Sequence, residues 1–385
     1  MTEGGHSAAG GFDRFRRFPL RGWFLIASVL ALTAVGLTVL FSAGGSSGRF
    51  LGSYFTRQLV WLTLAILAGF VAFRFGVDRL RYLVWPVVLV SFGLLIAVLV
   101  PGLGVEVNGA RRWIEIGPFR AQPSEFAKLG FVCVLAWYIS KVGRRMNRLG
   151  PGFFLPILLM VPFLVLLVAE PDLGTTVLYA CVGGALLLAT GSSFRALFVA
   201  VCVFIGCVAV LILDDPERLQ RVTSFLALEE NRSAGGYQLW QGILGFSVGG
   251  IEGAGPGRGR QHLSFLPEAH TDFVFAVVGE ELGFLATGSV VLLFTLFAVL
   301  ALSQLKKAPD LFGFVVVFGA LLFIMGQALI NMGVVTGLLP TKGMSLPFLS
   351  YGGSNLVMMF ALTGIILSTF REWETPTIRN PVEIS

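Results

Sequence analysis

The sequence predicts an all-α integral membrane protein of about ten transmembrane helices, with one long extracytoplasmic loop between spans 7 and 8. Three observations predict it. The first is composition: of 385 residues, 55% are apolar and 13% charged, and the mean hydropathy is +0.83. A soluble domain carries about 25% charged residues, so this chain cannot cover a water-facing surface. A soluble enzyme, a disordered chain and a nucleic-acid-binding module are thereby excluded. The second is the set of apolar stretches at 23–43, 58–73, 83–101, 125–140, 151–169, 173–194, 196–213, 282–305, 311–335 and 345–370. Each approaches the roughly 20 residues that a helix needs to cross a bilayer. The third is charge placement. With the N-terminus inside, 16 of the 28 Lys and Arg residues fall in the inner loops and tails, and 15 of the 22 acids fall outside. Basic residues concentrate on the cytoplasmic side of membrane proteins, so both termini are expected to be cytoplasmic.

Taken in order, residues 1–22 form a basic tail with Arg14, Arg16, Arg17 and Arg21. A signal peptide has a similar start, but the apolar run that follows is too long for a cleaved one and nine more spans come after it. The membrane domain is expected over 23–370, and 371–385 is a second cytoplasmic tail. The four cysteines (Cys133, Cys181, Cys202, Cys207) lie inside apolar runs and imply no disulfide framework. Three histidines, His6, His262 and His270, are too few and scattered for a zinc site.

Most of the basic residues that break the inside rule gather in three outer segments, 105–128, 214–272 and 336–353, which points to a functional face. The first contains NGARRWIEIGPFRAQPSEFAKL (108–129). Pro123 suits a first helical turn, where its missing N–H costs nothing. Glu125 and Lys128 then share one face of the fourth span. Ionisable groups inside a span are expensive and line cavities or pair with one another, so the two are either a cavity pair or a structural ion pair. Arg111 and Arg112 are either interface anchors or donors to a phosphate. Between spans five and six the turn Glu170-Pro171-Asp172 carries two carboxylates. Asp172 fits a helix cap better than a cation or sugar site, because Leu173-Gly174-Thr175 follows.

The loop 214–272 is too long for a connector. Ten glycines between 235 and 259, interleaved with amphipathic stretches, suit a segment lying on the membrane surface and turning back. Gly255, Gly257 and Gly259 lack the strand and Lys-Ser/Thr context of a nucleotide loop. The loop ends at Asp272, which is either the N-cap of span eight or a general base at the water–lipid boundary. Residues 273–281, with Glu280 and Glu281, read as a half-helix at the outer edge. The segment INMGVVTGLLPTKGMSLPFLSYGGS (330–354) is broken by Gly and Pro, which is tolerated only in a protein interior or cavity wall; Lys342 is its one charge.

These segments, together with EPDLGTT (170–176) and LPEAHTDFVFAVVGEELGF (266–284), resemble the FtsW/RodA/SpoVE (SEDS) family of bacterial cell-wall polymerases, from about residue 20 to 372. The TKG, EAHTDF and VVGEELG pieces look more like the division member FtsW than the elongation member RodA. Two departures are Asn355, where a second Ser often follows SYGGS, and the basic end Arg258-Gly259-Arg260 of the glycine-rich loop.

The resemblance implies a peptidoglycan glycosyltransferase of the bacterial inner membrane that polymerises lipid II, an undecaprenyl-pyrophosphate-linked disaccharide-pentapeptide, in septal wall synthesis. The acceptor's 4-hydroxyl would attack the donor's C1 with inversion to a β-1,4 bond, expelling the lipid pyrophosphate. Asp272 would be the general base, with Glu125 and Lys128 in the same cavity. Arg111, Arg112, Lys342, His270, Glu280 and Asp172 are the candidate substrate-binding residues. No resident cofactor is named by the resemblance, and a divalent cation (Mg or Mn) is a candidate. A class B penicillin-binding protein transpeptidase and other division proteins are the implied partners. The competing class is a transporter, a lipid II flippase, which needs a polar path through the whole bilayer.

Overall fold

The computed structural model describes residues 18–45, 54–107, 109–117, 119–232, 235–259 and 270–373. Twelve α-helices fall within them: α1 (Leu20–Gly45), α2 (Tyr54–Leu80), α3 (Val84–Leu99), α4 (Pro123–Val142), α5 (Leu155–Ala169), α6 (Leu173–Ala189), α7 (Phe194–Leu213), α8 (Pro216–Leu226), α9 (Tyr237–Gly249), α10 (Val274–Leu305), α11 (Leu311–Val335) and α12 (Gly353–Glu372). Eight stretches are long and apolar enough to cross a membrane, by length and composition. One of these, Phe55–Leu99, is 45 residues long and is interrupted by a 3-10 turn at Arg81–Leu83, so it comprises α2 and α3. The shorter apolar helix Leu173–Ala189 is α6. Each of the ten stretches read from the sequence overlaps one of these helices.

The bundle packs most closely where small residues let backbones approach, as expected for helices that gain nothing from leaving lipid. On α12, a Cβ at Gly364 would lie 2.2 Å from the Gly69 carbonyl oxygen of α2. α4, α11 and α12 have the greatest buried shares of the spans, and Phe131, Tyr179 and Phe323 meet edge to face between α4, α6 and α11. α7 is the opposite case, with no buried residue.

The two ends of the bundle carry different contacts. At one end Arg81 pairs with Asp310, Val77 N donates to Glu372 Oε2 at 3.3 Å, and Arg371 lies over Phe73. All of these were assigned to inner segments. At the other end the segments around 112, 170, 270 and 350 touch one another, and all were assigned outside.

Four features refine the expected boundaries. Residues 104–121 form a three-stranded antiparallel sheet, β1 (Gly104–Val107), β2 (Ala110–Ile116) and β3 (Phe119–Ala121), the one sheet among the described residues. Its first turn uses Gly109 at φ 73°, the geometry that Asn-Gly between β-rich runs favours; Asn108 itself lies outside the described residues. The amphipathic stretches of the loop 214–272 include two short helices, α8 and α9. The half-helix expected over 273–281 is the first part of α10, set off from the rest of span eight by the non-helical Gly283 (φ 76°). There Gly250 O and Ile251 O accept from Phe284 N (2.9 Å) and Leu285 N (3.4 Å), so the glycine-rich chain after α9 satisfies the interrupted helix. Span ten begins at Gly353 rather than 345, because Pro347, Gly352 and the turn at 347–351 keep the preceding residues non-helical.

Candidate active site

α4 starts with Pro123 at its first position, with Gln122 as N-cap. Glu125 follows in the first turn, and Lys128 lies below it on the same face. Lys128 Nζ is 2.6 Å from Glu125 Oε2 and 2.6 Å from Gln327 Oε1 of α11. Both charged side chains are buried. Gln327 Nε2 donates onward to Ser345 O at 2.8 Å. One turn along α11, Asn331 Nδ2 donates to Met344 O (2.6 Å) and Asp272 O (2.7 Å). Two amides at i and i+4 thus hold the 342–346 segment by its main chain and connect it to both Lys128 and the Asp272 backbone.

The same segment carries Lys342, whose Nζ is 3.0 Å from Asp172 Oδ1. A Cβ on Gly174 would lie 2.1 Å from Lys342 Cε, so only glycine leaves room for that stem. Asp172 is the N-cap of α6, accepting from Thr175 N (3.3 Å) and Thr175 Oγ1 (2.7 Å), while Gln122 Nε2 stands 3.5 Å from its other oxygen. Burial opposes ionisation of Asp172, but Lys342, Arg112 and the Thr175 hydrogen bond hold the carboxyl below its ordinary range. Asp172 is therefore both a cap and an ion-pair partner.

Successive strand residues point to opposite faces, and this separates the two adjacent arginines of β2. Arg112 turns inward, its Nε donating to Glu170 O (3.0 Å) and its Nη2 to Pro171 O (2.5 Å). Arg111 turns outward and pairs with Glu106 at 3.4 Å, both half-exposed. The structure does not bring Arg111 to the cluster.

Asp272 borders this assembly at Asn331 and Gly343. The N-cap of α10 is Phe273, whose side chain can accept nothing, so the cap position falls one residue beyond Asp272. A Cβ at Gly343 would lie 2.6 Å from Asp272 Oδ2, and Gly343 thereby leaves the carboxylate its space. His270 enters through its carbonyl, which accepts from Tyr351 N at 2.9 Å. Its ring is 6.5 Å from that of Tyr351. Glu280 is buried two turns farther along α10, about 12 Å along the axis at 1.5 Å per residue. There the glycine-rich chain packs on it, with Gly259 placed so that a Cβ would be 2.9 Å from Glu280 Oε2. Among the described residues, no three His, Cys, Asp or Glu side chains group as a metal ion would require.

Sequence reasoning missed Gln327 and Asn331, although two amides one turn apart inside an apolar span were a usable signal. It also missed the state of Glu170. This side chain is fully buried, and neither carboxyl oxygen has a hydrogen-bond partner among the described residues. Burial and the neighbouring Asp172 push its pKa up to about 9 against the opposing pull of Arg112. The folded protein therefore keeps a proton that the unfolded chain releases near pH ~4.3. The stability tied to that proton is complete below about pH 4.3 and is lost as pH rises to about 9. Thermal unfolding of Glu170→Gln should depend less on pH between about 5 and 8 than wild type, the variant gaining relative stability at the alkaline end. Parallel pH profiles would contradict the assignment.

The model of the FtsW/RodA/SpoVE family, described as "Cell cycle protein", matches residues 23–374. The chain belongs to this family. Its relatives include "Probable peptidoglycan glycosyltransferase FtsW" of Pseudomonas fluorescens (strain SBW25), 38% identical over 361 residues, covering 92% of this chain and 88% of that protein. "Stage V sporulation protein E" of Bacillus subtilis (strain 168) is 36% identical over 358 residues, covering 90% and 96%. Among solved structures, a chain from a peptidoglycan synthase complex, described under "Structural coordination of polymerization and crosslinking", superposes with a TM-score of 0.77 at 30% identity. It covers 92% of this chain and 98% of that one. The rod shape determining protein RodA of Thermus thermophilus superposes at 0.69 with 29% identity, covering 92% and 97%. This FtsW/RodA/SpoVE chain is thus a multi-pass inner-membrane protein whose fold is shared along nearly its whole length.

Proposed function

We propose that this chain is an inverting peptidoglycan glycosyltransferase, polymerising lipid II on the outer face of the cytoplasmic membrane for septal wall synthesis. The observation that carries the reading is the Asp272 carboxylate beside Gly343, one residue from Lys342 and its ion pair with Asp172. A base and a cation at adjacent places meet the two needs of the reaction. As the acceptor's 4-hydroxyl oxygen forms its bond to the donor C1, Asp272 takes the hydroxyl proton. The C1–oxygen bond to the diphosphate breaks, and Lys342 with Arg112 faces the charge that develops on the leaving group. Glu125 and Lys128 act from below, through Gln327 and the main chain of 342–346, by fixing where Lys342 and Gly343 stand. His270 sets the entry of the chain to Asp272 through its carbonyl.

The names of the relatives support the polymerase reading and the septal role. The likeness to a chain of a synthase complex that coordinates polymerization with crosslinking supports a crosslinking partner. That partner is a class B penicillin-binding protein. A flippase would need charge along the whole bundle. The buried charged side chains among the described residues, Glu125, Lys128, Glu170, Asp172, Glu280 and Glu281, all belong to the end with the Asp272 cluster. Purified protein given lipid II in detergent should form glycan chains insensitive to moenomycin, and no product with or without the transpeptidase would refute the reading.

Orientation follows from the same picture, with both termini in the cytoplasm and 214–272 outside. A cysteine placed at the exposed Glu229 should react with an impermeant thiol reagent in intact spheroplasts. Labelling only after lysis would invert the topology.

A further inference from the structure

The basic residues at the end of the bundle opposite Asp272 are held in two ways. Arg81 pairs with Asp310 and Arg371 with Glu372, so the chain itself supplies their anions. Segment 141–150, KVGRRMNRLG, carries four basic residues, Lys141, Arg144, Arg145 and Arg148, and no acid. All four are exposed and make no ion pair among the described residues.

The backbone that carries them is fixed. Gly143 (φ 52°) ends α4, and a 3-10 turn follows over Gly143–Asn147, with Met146 as its buried residue. A Cβ on Gly152 would collide with the Met146 carbonyl, and Gly152 N donates to Arg148 O at 2.8 Å. Tyr138 Oη of α4 donates to Pro151 O at 2.6 Å, and Ser192 Oγ, just after α6, donates to Gly152 O at 2.7 Å. An anion that meets these cations therefore need not order the chain that presents them.

Beside the turn lies an aromatic pair. Trp85, in the first turn of α3, meets Trp137 of α4 edge to face, with ring centroids 4.9 Å apart. Lys141 Nζ is 4.3 Å from the centroid of Trp137, so the ring holds its ammonium in place. Leu89 and Ile96 continue the Trp85 face of α3 at helical spacing, and all three are exposed. Tryptophan favours the level of lipid head groups, cations at that level attract anionic lipids, and the exposed stripe below suits an acyl chain. A zwitterionic head group fits less well, because its own ammonium would face four cations and no carboxylate in 141–150.

We propose that the junction of α3 and α4 at this end is a binding site for an anionic glycerophospholipid. Its phosphate is received by Lys141 and the arginines of 144–148, its head group lies against Trp85 and Trp137, and an acyl chain follows Leu89 and Ile96. The lipid thereby fastens the far end of the helix that begins with Glu125 and Lys128. The assignment is independent of the polymerase reading, and its test needs no turnover.

Full-length protein in detergent is titrated with phosphatidylglycerol, and separately with phosphatidylcholine and with inorganic phosphate. Bound lipid is counted by native mass spectrometry, and thermal unfolding is followed on the same samples. Wild type should bind phosphatidylglycerol in preference to phosphatidylcholine. Its unfolding temperature should rise with phosphatidylglycerol but not with inorganic phosphate. One cation at a lipid surface supports about a five-fold effect on affinity, so Lys141→Gln should weaken the Kd by that factor and lose most of the rise. Lys141→Arg should keep both. Lys306 is exposed at the same end, with no ring beneath it among the described residues, and Lys306→Gln should bind as wild type. Equal binding by Lys141→Gln overturns the proposal, as does an equal loss in Lys306→Gln, which would make the attraction general to that face. Equal affinity for the two lipids, or the same rise with inorganic phosphate, also overturns it. Should Lys141→Gln fail to fold, Trp85→Leu decides: it should weaken phosphatidylglycerol binding, and wild-type binding contradicts the site.

Discussion

Asp272→Asn is expected to lose about 10²–10⁴-fold in glycan formation, the usual contribution of a positioned base, with its unfolding temperature unchanged. Asn has the size of Asp, so the space left by Gly343 is filled as before. The contact from Asn331 is to the main-chain oxygen of residue 272 and survives any side-chain change. Were Asp272 a helix cap, Asn would be nearly silent because it caps about as well, and the cap position is in any case Phe273. Rates with lipid II and thermal unfolding should be measured on the same preparation. Normal polymerisation by the Asn variant would end the assignment of Asp272 as base and move suspicion to Glu125 or Glu280.

Lys128→Met is expected to abolish polymerisation and also to destabilise the protein by about 3–5 kcal/mol, the cost of leaving one buried ion without its partner. The variant strands Glu125, which is itself buried, and releases Gln327 Oε1. Adding Glu125→Gln removes the stranded charge and should restore most of the stability. Activity should stay lost, because Gln327 and Ser345 no longer have the ammonium that holds that side of the loop in place. The double-mutant cycle thus separates the ion pair's structural contribution from its positioning one. Near-normal turnover in Lys128→Met would reduce the pair to a structural element, and a double variant as unstable as the single would show that the ammonium, not the stranded carboxylate, is at issue.

Apolar helices were legible because a 20-residue apolar run has few alternatives; Pro123 and Asp172 marked the starts of α4 and α6, whereas the apolar run from 345 overran the start of α12 at Gly353. The helices inside 214–272 were not legible. α8 is only 11 residues long and α9 carries glycines that looked like turns, whereas Gly242 packs on Phe273 and Gly249 lets α9 approach α10. The β-sheet was missed because membrane-scale apolarity dominated the reading, although Asn108-Gly109 between β-branched and aromatic residues was a hairpin signal. At the site, residue identity was more legible than pairing. Lys128 with Glu125 follows from helical spacing alone, but Lys342 with Asp172 joins residues far apart in the chain, and no local pattern encodes that. Arg111 and Arg112 could be told apart only once the segment was known to be a strand.

α7 has one further consequence. Its 20 residues span about 30 Å at 1.5 Å per residue, which matches an average hydrocarbon core. With no side chain buried among its neighbours, its height is set by the bilayer rather than by protein packing. A thinner membrane would tilt α7 and a thicker one would draw it upright. α8 follows it across Asp214 and Asp215 and is bonded back to it by Arg218, so the start of the 214–272 loop would rise or sink with that tilt. Lipid chain length is then a variable of the enzyme, as salt or pH is for a soluble one.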